Sequence, residues 1–465
     1  MVQSFYFECE ITTFVSEKQQ THVGNMMRYV VLRISTTSNL FNHFRLEDRG
    51  QKIMITCNEL ENLLSARREG WSLPQRLYVD PAMHDVDLLA VFETEWLFAG
   101  STCEIKKSGD YFTLDIGANS IIVLRDREGG IRAFYNTCRH RGSRICDAHK
   151  GHAHRLVCPY HQWVYELDGR LLHARQMPAD FDCGPFALKP VHVETVCGMI
   201  YICLAESAPD FEPFKQALTP YIAPHMPERT KIAFETTLIE EANWKLVIEN
   251  NRECYHCAGN HPELLVTLVE FTPQDGNSDA QQFAALIDQK AAKWDAIGIP
   301  HQVVTGGREF RFVRLPFHEG MMSFTMDGGP ACNKLLGELT ERDLGSVRMF
   351  HVPNNWNHFL SDHIIHFRVI PLSHDRTELR TTWLVHEDAV EGIDYDIERL
   401  TEVWTATNLQ DARLASVNHQ GIRSKAYEPG PYAPSEFMLT NFANWYADKI
   451  GDYAKASQST EAGGR

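Results

Sequence analysis

Two histidines, His256 and His261, stand five residues apart in the stretch NWKLVIENNRECYHCAGNH, with Glu253 three residues ahead of the first. Neutral imidazoles paired with a carboxylate are the ligand set of mononuclear iron(II) sites that keep positions open for dioxygen. Read as helix, Glu253 and His256 share a face at i,i+3. Gly259-Asn260 then supplies a helix end that turns His261 back toward His256. The same residues also fit an ordinary helix end whose histidines are merely hydrogen-bonded. Cys254 and Cys257 flank His256 as Cys-x-x-Cys. They are expected to pack as small apolar residues rather than to bind zinc.

A second constellation lies upstream. Cys138-Arg-His140 and Cys158-Pro-Tyr-His161 are two Cys/His pairs separated by seventeen residues. Zinc fingers usually place both cysteines first and both histidines second. Here each segment supplies one of each, so two facing loops can deliver thiolates to one side and imidazoles to the other. That suits a [2Fe–2S] cluster of the Rieske type, whose imidazole ligands raise its potential above that of an all-thiolate cluster. A structural zinc site is the alternative. Arg139, Arg141, Gly142, Pro159 and Trp163 surround the pairs and can supply loop geometry and hydrogen bonds to sulfur.

A third candidate sits near the end of the chain. Ile397, Leu400, Trp404, Thr407, Asp411 and Leu414 recur at steps of three and four, a core-facing helix stripe in which Asp411 is the only charge. A buried carboxylate costs several kcal/mol unless it is paired or binds a metal. Asp411 is therefore either a third metal ligand or an aspartate satisfied by Arg413 or a nearby histidine.

These groups need elements to hold them. Leu60 to Trp96 reads as helical, broken at Trp71-Ser72-Leu73-Pro74 and resuming over Asp85 to Trp96. Short alternating runs follow: Tyr111 to Ile116, Ser120 to Arg125, Ile131 to Asn136, Val164 to Leu167 and Met199 to Leu204. Gly109-Asp110, Gly129-Gly130 and Asp168-Gly169 mark their turns. Beyond about residue 205 helices alternate with strands, among them Ile364 to Pro371 and Glu378 to His386, before a long helix from about Tyr395 to Asn418. The expected fold class is α+β, with a small all-β cluster domain at 97–205 ahead of an α+β catalytic domain at 206–450. A helical lead-in at 56–96 should pack on the catalytic domain. Residues 1–55 should form a loosely ordered extension and 451–465 a flexible tail.

Composition narrows the function. The 465 residues are 43% hydrophobic and 23% charged, an ordinary globular mixture long enough for two or three domains. A formal charge of -16 argues against nucleic acid and against an anionic membrane surface. No apolar run reaches 18 residues; Gly198 to Ala205 is too short to span a bilayer and reads as a buried strand. With no secretory pattern, the cytoplasm is the expected compartment. Twelve cysteines are too sparse for a disulfide scaffold, which leaves metal ligands and inert core thiols. No G-x-G-x-x-G fingerprint is present, so NADH and flavin are expected on a partner.

The motifs CRHRG and CPYHQW, with NWKLVIENNRECYHCAGNH, resemble those of the Rieske non-haem iron oxygenases, from about Leu73 to Tyr446. The resemblance implies a helix-grip-like catalytic domain with an antiparallel sheet. It implies a cluster held by Cys138, His140, Cys158 and His161, and iron(II) held by His256, His261 and Asp411. Glu253 stands where many members have Asp and would carry electrons to the iron from a neighbouring subunit's cluster. Asn250 and Tyr255 of the same motif join it as catalytic candidates. A homotrimer and a separate NADH-dependent reductase are implied too. Within the family, SFTMDGG, WNHF, WLVHEDAVEGIDYD and AYEPGPY are similar to members that demethylate glycine betaine to dimethylglycine and formaldehyde. Relatives acting on carnitine, stachydrine, choline or aromatic rings share the metal motifs. A quaternary ammonium is held by aromatic faces, for which Trp356 and Tyr255 are candidates. Arg311, Arg314 or a histidine would take the carboxylate.

Overall fold

The computed structural model describes residues 55–269 and 278–463, so the extension expected over 1–55 lies almost wholly outside the described residues. The chain opens with α1 (Cys57–Ser65), α2 (Gln75–Val79) and α3 (Pro81–Asp87). Strands β1 (Leu97–Ser101), β2 (Asp110–Ile116), β3 (Asn119–Arg125), β4 (Ile131–Tyr135) and β5 (Lys150–His152) follow. The short strands β6 (Leu156–Val157), β7 (Val164–Tyr165) and β8 (Leu171–His173) then lead to β9 (Pro190–Val196) and β10 (Met199–Cys203). The second half holds α4 (Glu212–Ile222), β11 (Thr230–Glu240), α5 (Trp244–Asn251), α6 (Cys257–Asn260) and α7 (Ser278–Ala296). After it come β12 (Val304–Gly306), β13 (Phe310–Leu315), β14 (Ser346–His351), β15 (Asn355–Phe359), β16 (Ile364–Ser373) and β17 (Arg376–His386). Two long helices, α8 (Ile397–Ile422) and α9 (Phe437–Gly463), close the chain.

The first half forms a seven-stranded sheet, β1-β10-β9-β4-β3-β2-β5, beside the small sheet β6-β7-β8. The second half forms a seven-stranded antiparallel sheet, β11-β17-β16-β15-β14-β13-β12. The class is α+β. Side chains alternate across each strand, so the register Arg348↔His358 and Phe350↔Trp356↔Phe367 gathers these five on one face of the second sheet. The other face carries Phe312, Val347, Met349 and Phe359, which pack with Phe214 and Leu218 of α4.

Two expectations need correction. The helix read over Asp85 to Trp96 stops short, because Leu88–Phe92 forms a π-helical turn. Its wider winding rotates the apolar face, leaving Leu89 46% exposed. Trp96 lies beyond the helix, its ring 5.0 Å from Phe211. The flexible tail expected from 451 is instead helix, since α9 runs on to Gly463.

The lead-in helices are tied to the second half by buried charge. Asp87 accepts hydrogen bonds from Trp244 Nε1 (2.8 Å), Tyr446 Oη (2.7 Å) and the Lys245 ammonium. Tyr78 Oη donates to Glu249 at 2.9 Å.

Candidate metal centres and substrate cavity

The loops of Cys138 and Cys158 are built alike. The carbonyl of Cys138 accepts from Gly142 N, and that of Cys158 from Gln162 N, each at 3.0 Å. The closing residue has positive φ in both, +81° at Gly142 and +60° at Gln162. Glycine suits that conformation and Gln162 bears its strain. The thiols of Cys138 and Cys158 are buried, at 3% and 1% exposure, whereas His140 is exposed and His161 half-buried. The two imidazole rings lie 4.6 Å apart, and His140 stacks on Trp163 at 4.8 Å. Burial pushes the Cys138 thiol above its ordinary range, with the Tyr165 hydroxyl, 3.3 Å from its sulfur, acting the other way. Thiols inside and imidazoles outside are the donor set of a Rieske cluster, bound through anionic sulfur on one iron and neutral nitrogen on the other. Tyr165, a core residue of a short strand, gave no sign in the sequence of touching sulfur.

The second site forms where α5 ends. Helix α5 stops at Asn251, so Glu253 and His256 sit in a turn and not, as expected, on a helix face. Glu253 Oε2 accepts from the backbone N–H of Tyr255 and of His256, and Oε1 lies 2.5 Å from His256 Nδ1. Helix α6 then runs to Asn260, whose Nδ2 donates to the His256 carbonyl at 2.8 Å. This turn brings His261 Nε2 to 3.0 Å from His256 Nε2. From α8, Asp411 Oδ1 stands 2.9 Å from His261 Nε2 and 3.3 Å from His256 Nε2. Gln410 Oε1 accepts from His261 Nδ1 at 2.7 Å, while Gln410 Nε2 donates to Glu263 at 2.9 Å.

The donor set fits a metal ion. With Nδ1–H of each imidazole held by Glu253 or Gln410, both Nε2 lone pairs face one another and Asp411 Oδ1. That oxygen is buried without a hydrogen-bond donor. Three acceptors converging without a proton between them call for a cation. Burial would push His256 down, but Asp411 and Glu253 outweigh it and raise it to about 9, the electrostatic mark of a site that attracts positive charge. Cys257 Sγ also lies within 4.8 Å of both imidazoles. It is committed elsewhere, because Cys254 and Cys257 form a disulfide. The expectation that these two pack as separate thiols is thereby corrected; Cα atoms 4.9 Å apart lie within bridging reach.

A cavity of about 620 Å³ opens beside His256, His261 and Asp411. Trp356 lines it, 4% exposed, and Tyr255 stands at its edge, 69% exposed. Asn250 and Arg311 line it as well, with the Arg311 guanidinium 5.8 Å from the Phe437 ring. Arg314 contributes to the wall, but its guanidinium donates to the carbonyls of Pro300 (3.3 Å) and Leu344 (3.2 Å). Strand alternation sends its side chain to the opposite face from Arg311. Among the lining residues that escaped the sequence reading of this pocket are Arg252, Arg348, His358 and Trp404. Burial and then Arg348 hold His358 far below the usual imidazole range, so it is neutral.

Comparison with known proteins agrees with this geometry. A "Rieske [2Fe-2S] domain" model matches residues 95–194, and a "Ring hydroxylating alpha subunit (catalytic domain)" model matches 227–452. The chain is 50% identical over 394 residues to the glycine betaine monooxygenase oxygenase subunit of Pseudomonas aeruginosa, covering 84% of this chain and 91% of that one. The chain belongs to the Rieske non-haem iron oxygenases. It carries the family's [2Fe–2S] cluster and mononuclear iron. The counterpart in Chromohalobacter salexigens is 48% identical over 391 residues, 84% of this chain and 88% of that one. The carnitine monooxygenase oxygenase subunit of Escherichia coli is 34% identical over 206 residues, 43% of this chain and 55% of that one. Among solved structures, a quaternary ammonium Rieske monooxygenase, CntA, shares the fold of this oxygenase. Its TM-score is 0.65 at 20% identity, over 84% of this chain and 98% of that one. Among the described residues no helix of the oxygenase is long and apolar enough to cross a membrane.

Proposed function

We propose that this oxygenase N-demethylates glycine betaine to dimethylglycine and formaldehyde. One dioxygen and the two electrons of NADH are consumed, and one water is formed. The reading rests chiefly on the 50% identity, over most of both chains, to a glycine betaine oxygenase subunit. Cys138, His140, Cys158 and His161 hold the cluster, and His256, His261 and Asp411 hold the ferrous ion. When bound, the cluster passes electrons singly and the iron activates dioxygen.

The protein's own groups do the rest. Glu253 keeps the Nδ1 proton of His256 in place, which reserves Nε2 for the metal. Gln410 does the same for His261. The indole faces of Trp356 and Trp404 attract the trimethylammonium, and the apolar wall excludes water. Asn250 and Tyr255 line the mouth.

The electron partner is a separate NADH-dependent reductase carrying the flavin, with the enzyme working in the cytoplasm, where NADH is available. The oxygenase acts as a homotrimer in which Glu253 receives electrons from a neighbouring subunit. Exposed His140 and half-buried His161 favour this arrangement. Among the described residues no hydrogen bond or ring contact joins them to Glu253 or His256 of the same chain. The cavity is larger than glycine betaine needs, which favours testing carnitine and stachydrine as well. Formaldehyde released per dioxygen consumed should approach one with glycine betaine when reductase and NADH are supplied. Uptake with none of these betaines would overturn the assignment.

A further inference from the structure

Two guanidinium groups of the cavity are buried without an acid. Arg348 of β14 keeps a small accessible surface where it lines the cavity. Its one polar contact is Ser346 Oγ, 3.5 Å from Nε, and its Nη2 has no partner. Arg252 caps α5, is 6% exposed, and lies with its guanidinium 4.4 Å from the centre of the Phe350 ring. Its Nη2 is likewise without a partner. Among the described residues neither forms an ion pair, and the acids nearby are engaged by imidazoles. Other buried arginines behave differently: Arg314 donates to two carbonyls, and Arg380 to two glutamates. A buried cation with no counter-charge is strongly unfavourable. Its retention beside a cavity points to an anion that arrives with the ligand.

The layout says which end of the ligand that anion occupies. Arg348 sits opposite His358 on the adjacent strand, and Phe350, the next residue on that face of β14, sits opposite Trp356. The His358 ring lies 4.7 Å from that of Trp404. Trp404 and Asp411 are two turns apart on α8, roughly 10 Å along its axis. Aromatic faces therefore separate the Arg348 end of the cavity from the His256–His261–Asp411 end, while Arg252 lies over Phe350 beside them. A molecule with a cation beside one carboxylate matches that order. Its carboxylate takes the guanidinium fork, its ammonium lies on the indole faces, and a methyl group points to the metal ligands. Arg314 is occupied by two carbonyls, and neutral His358 has no charge to offer, only one N–H, so the guanidinium is the stronger partner for the carboxylate.

We propose that Arg348, seconded by Arg252, is the carboxylate-binding end of the cavity, so that the enzyme selects quaternary ammonium carboxylates and rejects quaternary ammonium alcohols such as choline. A bare cation would meet two uncompensated positive charges there. The assignment rests on reading the cavity as the site of a betaine.

Binding separates the two ideas. The intact oxygenase, loaded with cluster and iron but without reductase, is titrated with glycine betaine, choline and tert-butylacetate, the uncharged-head isostere of glycine betaine. Tryptophan fluorescence reports occupancy, since Trp356 and Trp404 line the cavity. Wild type binds both carboxylates and binds choline at least ~10-fold more weakly. R348M weakens both carboxylates by roughly 10- to 100-fold, the range of a lost charge-assisted bond, and leaves choline unchanged or tighter. R348K recovers part of the loss, since an ammonium lacks the planar fork; R252M gives a smaller loss. R348M also melts no lower than wild type, because it removes an unpaired buried charge. A lower melting temperature would assign Arg348 a structural role and overturn the proposal. So would tert-butylacetate affinity unchanged in both R348M and R252M, or choline bound as tightly as glycine betaine. If carboxylates bind through Arg348 yet no betaine is oxidised, the site stands and the demethylation reading falls. If betaine is demethylated and R348M binds it normally, the reverse holds.

Discussion

Asp411 of α8 faces both imidazole Nε2 atoms, and its neighbour Gln410 holds the Nδ1 of His261. Asp411→Ala removes the carboxylate that faces both Nε2 atoms. Iron content should fall from about three to about two per chain, with the visible spectrum of the cluster unchanged and turnover lost. Unchanged iron would show that Asp411 is no ligand. Gln410→Ala leaves all three donors but frees His261 Nδ1. Ferrous affinity should drop by roughly 10- to 100-fold in a chelator competition, the usual effect of removing a group that orients a ligand. The two residues differ in how plainly the sequence announces them. Asp411 was legible because a charge interrupts an apolar stripe. Gln410, one step round the helix, reads as solvent-facing, and its partners His261 and Glu263 lie 149 and 147 residues away. Arg348 was hidden for a similar reason, since nothing in SVRMFH says that its arginine points inward.

At the level of elements, legibility followed burial pattern. Strands β2, β3, β4 and β10 were found within one or two residues, helped by glycine turns such as Gly129 at φ +85°. Strand β15 escaped assignment because NWNHF is buried at all five positions and its asparagines break any apolar alternation. The turn at Glu253 escaped because a single residue bonds both the backbone and His256 in place of a helical turn. Lys245 was equally opaque: helical lysines usually face water, yet this one, in the first turn of α5, is 0% exposed against Asp87. That pair pins α3 to α5, the helix that leads into the iron site. Asp87→Ala would leave a buried ammonium uncompensated and should cost about 3–5 kcal/mol in chemical denaturation. The double variant with Lys245→Met should regain part of it, because the ammonium is gone while Trp244 Nε1 and Tyr446 Oη still lack their acceptor. A single-variant loss under about 1 kcal/mol would show that water reaches Lys245.

Across the whole molecule, one ionic cluster joins the two large sheets. Arg380 of β17 reaches Glu104, just after β1, at 2.7 Å and Glu235 of β11 at 2.5 Å. Lys150 of β5 bridges the same two acids at 3.0 and 2.9 Å. Burial alone would push the Glu104 carboxyl up, but Arg380 and then Lys150 hold it well below the usual carboxylate range. Glu235 is lowered through the same two cations, again against burial. A carboxylate whose folded value is depressed adds stability that is complete above its unfolded value, about 4.3, and drains away as pH falls toward the folded value. The association of the sheets should therefore weaken below about pH 4.5. Glu104→Gln leaves Arg380 short of a counter-charge and should lower stability at pH 7 by about 3–5 kcal/mol. The variant no longer has that proton to bind, so its deficit against wild type should shrink steadily as the pH is taken from 5 to 3. Melting temperatures by calorimetry across that range, with cluster absorbance followed in parallel, read the difference directly. A deficit that stays constant down to pH 3 would mean that Glu104 is held by shape and not by charge.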